Sequence, residues 1–312
     1  MIVVTGAAGF IGSNLVRALN ARGRSDLLLV DDLTDGHKYR NLAECDFLDF
    51  VDKDAFLASV ASSELRDVDA IFHQGACSNT MEWNGRRMLA DNYEYSKALH
   101  AFAVARGIPL IYASSASVYG MGPVFREDPA LEKPLNLYAW SKLLFDRWVR
   151  RHAASTRSQV VGLRYFNVYG PGEAHKSEMA SVAWKHHLQL REGQVVRLFE
   201  SSDGYGPGEQ RRDFVYVDDV AAVNLWFLDH PRVSGIFNVG TGRAQTFNDV
   251  ARAVIAHHGR GRIEYVDFPA ALRGSYQSFT QADISALRAA GCDVPFLTVE
   301  KGVSRYLKEL GD

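Results

Sequence analysis

Short apolar runs alternate with longer amphipathic stretches through the first half of the chain. The run IVVT (2–5) reads as a buried strand. A helix is predicted over 10–23, because Ile11, Leu15, Ala18 and Leu19 recur at helical spacing and Gly23 supplies a stop. LLLVDD (27–32) is the second strand. AIFHQGA (70–76), PLIYASS (109–115) and VVGLRYFN (160–167) are further strands, with helical stretches between them. Strands that are apolar without alternation are buried on both faces. Strand–helix alternation of this kind predicts an α/β fold, a doubly wound parallel sheet covered by helices on both sides.

After Asn167 the rhythm changes. VYGPGEAHKSE (168–178) reads as a polar loop, and the glycine- and proline-rich SSDGYGPGEQ (201–210) as a mobile surface loop. RRDFVYVDDVAAVNLWFL (211–228) and GIFNVGTG (235–242) resume the strand–helix style. The expected organisation is a cofactor-binding domain of residues 1–168 with parts of 213–240. A smaller α/β substrate-binding lobe comprises 169–212 and 241–312. Ligand is expected between them, at the carboxyl ends of the strands.

The 312 residues are ample to bury a core, and a formal net charge of −2 advertises neither a nucleic-acid partner nor an anionic membrane surface. No apolar run approaches the roughly 20 residues of a membrane helix, and MIVVTGAAGF has no basic n-region. Cys45, Cys77 and Cys292 form no CxxC pair and read as free thiols. The expectation is a cytoplasmic protein. There is no HExxH, and the adjacent pairs His186-His187 and His257-His258 do not share a helix face, so no metal is predicted.

The candidate chemistry begins at VVTGAAGFIGSN (3–14). Its glycines, Gly6, Gly9 and Gly12, lie between a strand and a helix, the context that makes a dinucleotide fingerprint credible. Gly6 permits a tight turn, Gly9 lets backbone approach a pyrophosphate, and Gly12 lets the helix pack on the strand. The helix N-terminus then meets the phosphates. The fold expectation sharpens to a Rossmann-type sheet. The second strand ends in Asp31-Asp32, about 20 residues on, where an acid commonly holds the adenosine ribose. A carboxylate there favours NAD, whereas Lys38, Arg40 and Lys53 offer charge to a 2′-phosphate, so the residues leave NAD and NADP both open. Further on, SSASVYG (114–120) ends a strand and YAWSK (138–142) places Tyr138 and Lys142 one helical turn apart. A tyrosine of ordinary pKa about 10 becomes a useful base where an ammonium and a nicotinamide cation favour the phenolate. Tyr138 can then take a hydroxyl proton, Lys142 can hold the nicotinamide ribose, and Ser115 can hydrogen-bond the reacting oxygen.

In this order the glycine loop, the serine strand and YxxxK resemble the extended short-chain dehydrogenase/reductases, whose loop has the form TGxxGxxG. GLRYFNVYGPG (162–172) and RRDFVYVDDVA (211–221) extend the resemblance over essentially the whole chain. The dehydratases of that family carry an Asp-Glu pair beside the serine; this chain has Ser115-Ala116, which argues against dehydration. Within the family, the resemblance runs to the ADP-heptose 6-epimerases of lipopolysaccharide core synthesis. It is carried by FHQGACSNTME (72–82), LRYFNVYGPGEAHKSEMASVAW (163–184), RLFE (197–200), SGIFNVGTGRAQTFNDVA (234–251) and FPAALRGSYQSFTQAD (268–283).

That resemblance implies NADP as cofactor, an ADP-heptose substrate, a homo-oligomer (a homopentamer), and Lys176 as a second catalytic base. It implies cofactor contacts at Gly6, Gly9, Phe10, Ile11, Gly12, Asp31, Asp32, Lys38, Lys53, Gln74, Gly75, Ala76, Cys77, Ser78, Asn92, Tyr138, Lys142, Val168 and Lys176. It implies substrate contacts at Asn167, Glu178, Lys185, Phe199, Glu200, Ser201, Ser202, Arg212 and Tyr276, with Arg212 suited to a pyrophosphate. The chain departs from the pattern at Gln74, where glutamate is expected, at Ser177 and Glu178, and at Lys185, where histidine is expected. The implied activity is a redox epimerisation through a C6 ketone. The alternatives are another nucleotide-sugar epimerase or a reductase of the family, or a non-catalytic dinucleotide sensor, for which Ser115, Tyr138 and Lys142 would serve no purpose.

Overall fold

The computed structural model describes residues 1–62, 65–269 and 276–311. In its first part the elements are β1 (Ile2–Thr5), α1 (Phe10–Ala21), β2 (Leu27–Asp31), β3 (Asp49–Asp52), α2 (Lys53–Ser62), β4 (Ala70–His73), α3 (Gly85–Leu89), α4 (Tyr95–Arg106), β5 (Leu110–Ser115), α5 (Leu137–His152) and β6 (Val160–Tyr165). There follow β7 (Asn167–Tyr169), α6 (Val182–Glu192), β8 (Val195–Phe199), β9 (Arg211–Arg212), β10 (Phe214–Tyr216), α7 (Val217–Asp229), β11 (Gly235–Val239), β12 (Gln245–Thr246), α8 (Phe247–His258), β13 (Arg262–Val266), α9 (Ser285–Ala289) and α10 (Val299–Glu309).

Seven strands form one sheet in the order β11-β6-β5-β4-β1-β2-β3, every neighbour parallel. The sheet is covered on both sides, as the unalternating strands predict. Ile2 and Val4 of β1 face a core shared with Leu15 and Leu19 of α1 and with Val220, Val223 and Phe227 of α7. Val3, one residue out of phase, faces Phe56 of α2, Leu99 and Phe102 of α4, and Phe145 and Val149 of α5. A third core joins Leu190 of α6, Val196 and Leu198 of β8, Val250 and Val254 of α8, and Val303, Tyr306 and Leu307 of α10. No helix among the described residues is long and apolar enough to cross a membrane.

Two strands differ from the sequence expectation. The run 160–167 is broken: β6 stays in the main sheet, but β7 leaves it to pair with β10. Phe166 donates to Val239 O at 3.0 Å and Asn167 to Asp213 O at 3.0 Å, so successive N–H groups are taken by different partners and the chain steps off the sheet. The edge strand β3 (DFVD) has only Phe50 and Val51 as apolar positions, too few for the pattern to announce it. Residues 201–210 form a turn closed by reciprocal hydrogen bonds between Ser202 and Tyr205 and braced by Gln210, whose amide donates to Glu200 O and Ser202 Oγ.

Candidate active site

The glycine loop is built by close approach. Gly6 has φ +67°, and a Cβ there would lie 2.5 Å from the Gly75 nitrogen; a Cβ on Gly12 would run into the Gly6 carbonyl. Helix α1 starts at Phe10 behind Gly9, with no side chain capping it and no acid in its first turn. Its N-terminal N–H groups and positive dipole end are therefore open to an anion. Asp31 at the end of β2 lines the cleft, but its carboxylate is already engaged. It accepts from the backbone of Ala8 (2.8 Å), Gly9 (3.1 Å) and Asp32 (2.7 Å) and pairs with Lys38 Nζ at 2.7 Å. The acid expected to hold a ribose thus also braces the glycine loop, with a lysine balancing its charge.

A cleft of about 590 Å³ opens in front of this loop. It is walled by Gly6, Gly9, Phe10, Ile11 and Gly12, by Gln74, Gly75, Ala76 and Ser78 beyond β4, and by Ser115, Tyr138, Lys142, Val168 and Lys176. A recess of about 160 Å³ holds Asp31, Asp32, Lys38, Lys53 and Cys77. Sequence reasoning missed Arg87, which lines both, and His175, which lines the larger cleft. Arg86-Arg87 reads as surface charge, and no periodicity points it inward. It also missed His73, which is buried, bonded through Nδ1 to Thr5 Oγ1 (2.6 Å) and through Nε2 to Ser96 Oγ (2.8 Å), and pushed down to about 3 by burial. A histidine held neutral there ties β1 to α4 beneath the cleft.

Asn92 is not in the cleft wall. It is buried behind it, where its amide accepts from Cys77 N (2.7 Å), donates to Cys77 O (2.9 Å) and reaches Ser141 Oγ (3.0 Å). It therefore shapes the cleft through the Cys77 backbone. Gln74, in place of glutamate, donates to Asn224 Oδ1 (3.1 Å) and accepts from Tyr165 Oη (3.0 Å). An amide supplies the donor that this pairing needs and a carboxylate lacks.

Ser115 ends β5, and Tyr138 and Lys142 occupy successive turns of α5, whose N-cap Asn136 accepts from Ala139 N at 2.8 Å. Burial pushes the Tyr138 phenol up, and a hydrogen bond with Ser115 works against that shift. The ammonium expected to favour the phenolate is turned elsewhere: Lys142 Nζ donates to Ala113 O at 3.0 Å, and burial lowers its pKa to about 8 against the opposing charge of Asp146. Asp146, one turn further, accepts from Tyr112 Oη and Ser114 Oγ, both at 3.0 Å, and pairs with buried Arg164 at 2.8 Å. Arg164 in turn meets buried Glu132. This network clamps α5 to β5 and β6.

Lys176 is carried on a short 3₁₀ segment, Ala174–Met179. Its ammonium lies 5.2 Å from the centre of the Phe10 ring, within cation–π range, and burial lowers its pKa while Glu173 raises it. It is in the cleft wall and not on the outer surface. Glu178 and Lys185 do not join it: Lys185 Nζ donates to Glu178 O at 2.6 Å, and the Glu178 side chain is 98% exposed. A second cluster forms around Arg212. Its guanidinium is buried 4.9 Å over the Tyr276 ring, and Phe199 packs edge-on to Tyr276 at 6.3 Å. Burial lowers Arg212 to about 10, its Nη1 has no hydrogen-bond partner, and the groups acting on it are tyrosines and not carboxylates. A buried cation in that state is prepared for an anion. Asn167 lies beside it in the chain's turn off the sheet, its Oδ1 accepting from Thr280 at 3.1 Å. Residues 270–275 of the motif at 268–283 lie outside the described residues.

Comparison with known proteins agrees with this geometry. The NAD dependent epimerase/dehydratase family matches residues 2–240. An ADP-L-glycero-D-manno-heptose-6-epimerase of Alkalilimnicola ehrlichii is 58% identical over 100% of this chain and 98% of its own. The crystal structure of the Helicobacter pylori ADP-L-glycero-D-manno-heptose-6-epimerase superposes with a TM-score of 0.86 at 31% identity, covering 99% of this chain and 96% of the other. The Thermus thermophilus UDP-glucose 4-epimerase, in complex with NAD, gives 0.79 at 26%, covering 99% and 98%. With its sheet order, its glycine loop and its YxxxK helix all in place, the chain belongs to the NAD dependent epimerase/dehydratase family.

Proposed function

We propose that the protein is an NADP-dependent epimerase that inverts C6 of ADP-D-glycero-D-manno-heptose to give the L-glycero epimer through a C6 ketone. The observation that carries this reading is the convergence of two proton-handling side chains, Tyr138 and Lys176, from different elements onto one cleft beside an uncapped helix N-terminus. The name of the 58% identical relative supplies the substrate. Bound nicotinamide dinucleotide supplies the acceptor and donor of a hydride. Tyr138 takes the C6 hydroxyl proton in one orientation of the sugar, assisted by Ser115, and Lys176 handles it in the other. Lys142 holds a ribose. Arg212 binds the pyrophosphate, with Phe199, Tyr276 and the turn at Glu200, Ser201 and Ser202 around it. In this reading residues 1–168, with parts of 213–240, hold the cofactor, and 169–212 and 241–312 hold the sugar nucleotide.

NADP is favoured because Lys38 and Lys53 both face the recess at the end of β2 and the Asp31 charge is balanced. Lys38→Ala removes a cation and at once leaves the charge of that carboxylate unbalanced. A charge-assisted hydrogen bond is worth roughly 1.5–3 kcal/mol, so NADP affinity should fall by about tenfold or more while NAD affinity changes little. Titration of the refolded apoprotein with each cofactor measures this. An equal loss for both would show that Lys38 serves the loop alone.

The reading is tested by incubating the protein with a panel of ADP- and UDP-sugars in heavy water and following the products by NMR. The expected result is a new C6 epimer of ADP-heptose with no deuterium at the inverted carbon. Tyr138 and Lys176 exchange only hydroxyl protons. Deuterium at C6 would refute the redox route, and turnover that needs stoichiometric added NADPH would identify a reductase.

A further inference from the structure

Three residues before Lys176 stands a carboxylate that the chemistry above does not use. The Glu173 side chain is wholly buried. It accepts from the backbone N–H of Gly170 at 3.3 Å, from the backbone N–H of Ser181 at 2.5 Å and from the Ser181 hydroxyl at 2.7 Å. Gly170 follows β7, and Ser181 caps α6, its Oγ also accepting from Trp184 N at 3.3 Å. One side chain thus joins the two stems of the segment that carries Lys176. Tyr306 of α10 faces the same carboxylate. The Glu173 backbone acts too, its carbonyl accepting from Lys176 N at 2.9 Å.

The segment needs such a brace. Ser177 has φ +48° and ψ −119°, a conformation that a residue with a side chain keeps only where its surroundings dictate it. Two amides tie the near stem to the glycine loop: Asn14 Nδ2 donates to Pro171 O at 2.7 Å, and Asn41 Nδ2 donates to Gly172 O at 3.1 Å and Ala8 O at 2.9 Å. Glu173 ties the far stem. The Gly170 and Ser181 N–H groups and the Ser181 hydroxyl all donate to it, which suits a group that only accepts. Glutamine would turn an NH₂ toward one of them, and aspartate is one methylene short.

We propose that Glu173 is a positioning residue for the reaction: its buried carboxylate closes the 170–181 loop and so holds the Lys176 ammonium over Phe10 in the cofactor cleft. The proposal rests on the reading of Lys176 as the second base. Because misplacing a reacting group by about 1 Å costs roughly 10²-fold, Glu173→Gln in the full-length, cofactor-loaded protein should lower kcat for epimerisation by about that factor with KM little changed. Bound cofactor should stay at the normal level. So should dismutation of an ADP-hexose bearing an aldehyde at C6, in which one hydrated aldehyde is oxidised to the acid and a second is reduced to the alcohol, since Tyr138 suffices for it. In a Lys176→Met background Glu173→Gln should add no further loss.

Near-normal kcat overturns the proposal, as does a parallel loss of cofactor and dismutation, which would mark a merely structural residue. If Glu173→Gln does not fold, Ser181→Ala removes one donor and leaves the backbone one. It should lower kcat by about tenfold, and an unchanged kcat overturns the proposal. Lys176→Met separates the two ideas. If it is active, the second-base reading fails and the positioning role with it. If it is inactive while Glu173→Gln turns over normally, the positioning role alone fails.

Discussion

Tyr138→Phe should lose epimerisation by about 10²–10⁴-fold, the usual contribution of one general acid–base group, and keep its cofactor. The change deletes one hydroxyl. That hydroxyl's partner is Ser115, and no hydrogen bond of the glycine loop or of the Asp31 brace passes through it. The pH dependence follows from the same environment. Burial raises the phenol above its ordinary value, so the base form is scarce at neutral pH and becomes more abundant as pH rises. The wild-type rate should therefore climb on the alkaline side, and in Tyr138→Phe that limb should be absent. The checks are kcat against pH for both proteins and chromatography of the nucleotide released on denaturation. A mutant that keeps both its rate and its alkaline limb would remove Tyr138 from the reaction.

What could be read in the chain was what is local. Strand β1, the glycines after it, and Tyr138 and Lys142 a turn apart are fixed by spacing within a few residues, and each stands where spacing placed it. What escaped depends on contacts between distant segments. Asp31 reads as a ribose acid because of its place at the end of β2, but its carboxylate is taken by Ala8, Gly9 and Lys38, which only the folded loop brings to it. Asn92 matches a cofactor motif, yet it works from behind the wall through Cys77. Glu173 stands in a stretch that reads as a polar loop and Asp213 in one that reads as strand and helix, and no pattern singles out either. Both are buried, and Asp213 accepts from Thr241, Gly242 and Ala282, so it fastens the chain directly after Arg212. A buried carboxylate with backbone partners has no sequence signature, because its partners are N–H groups that every residue owns. The break between β6 and β7 escaped for a related reason: both halves are apolar enough, and the partner strand decides which sheet each joins.

Lys176→Met is the second large effect, and it tests the part of the site that spacing could not reach. The side chains are close in length, and methionine fills similar space beside Phe10 while removing the charge held over its ring. The cofactor should remain bound, since the Gly6–Gly12 loop, Lys38 and Lys142 are untouched. Epimerisation should fall by about 10²–10⁴-fold, because in the proposed mechanism inversion needs a proton handled on each of two opposed orientations of one C6 oxygen and Tyr138 serves only one of them. Burial lowers the Lys176 pKa, which brings its neutral form closer to neutral pH and suits it to that task. Each single mutant should still perform the half of the reaction that its remaining group serves. An ADP-hexose with an aldehyde at C6 should therefore be dismuted by Tyr138→Phe and by Lys176→Met, and by the double mutant far more slowly than by either. Product NMR over a time course measures all three. If Lys176→Met epimerises at a near-normal rate with an unchanged circular dichroism spectrum, Lys176 only walls the cleft. His175, its neighbour on the same wall, would then be the next candidate: burial lowers its pKa and keeps it largely neutral, in the form that accepts a proton.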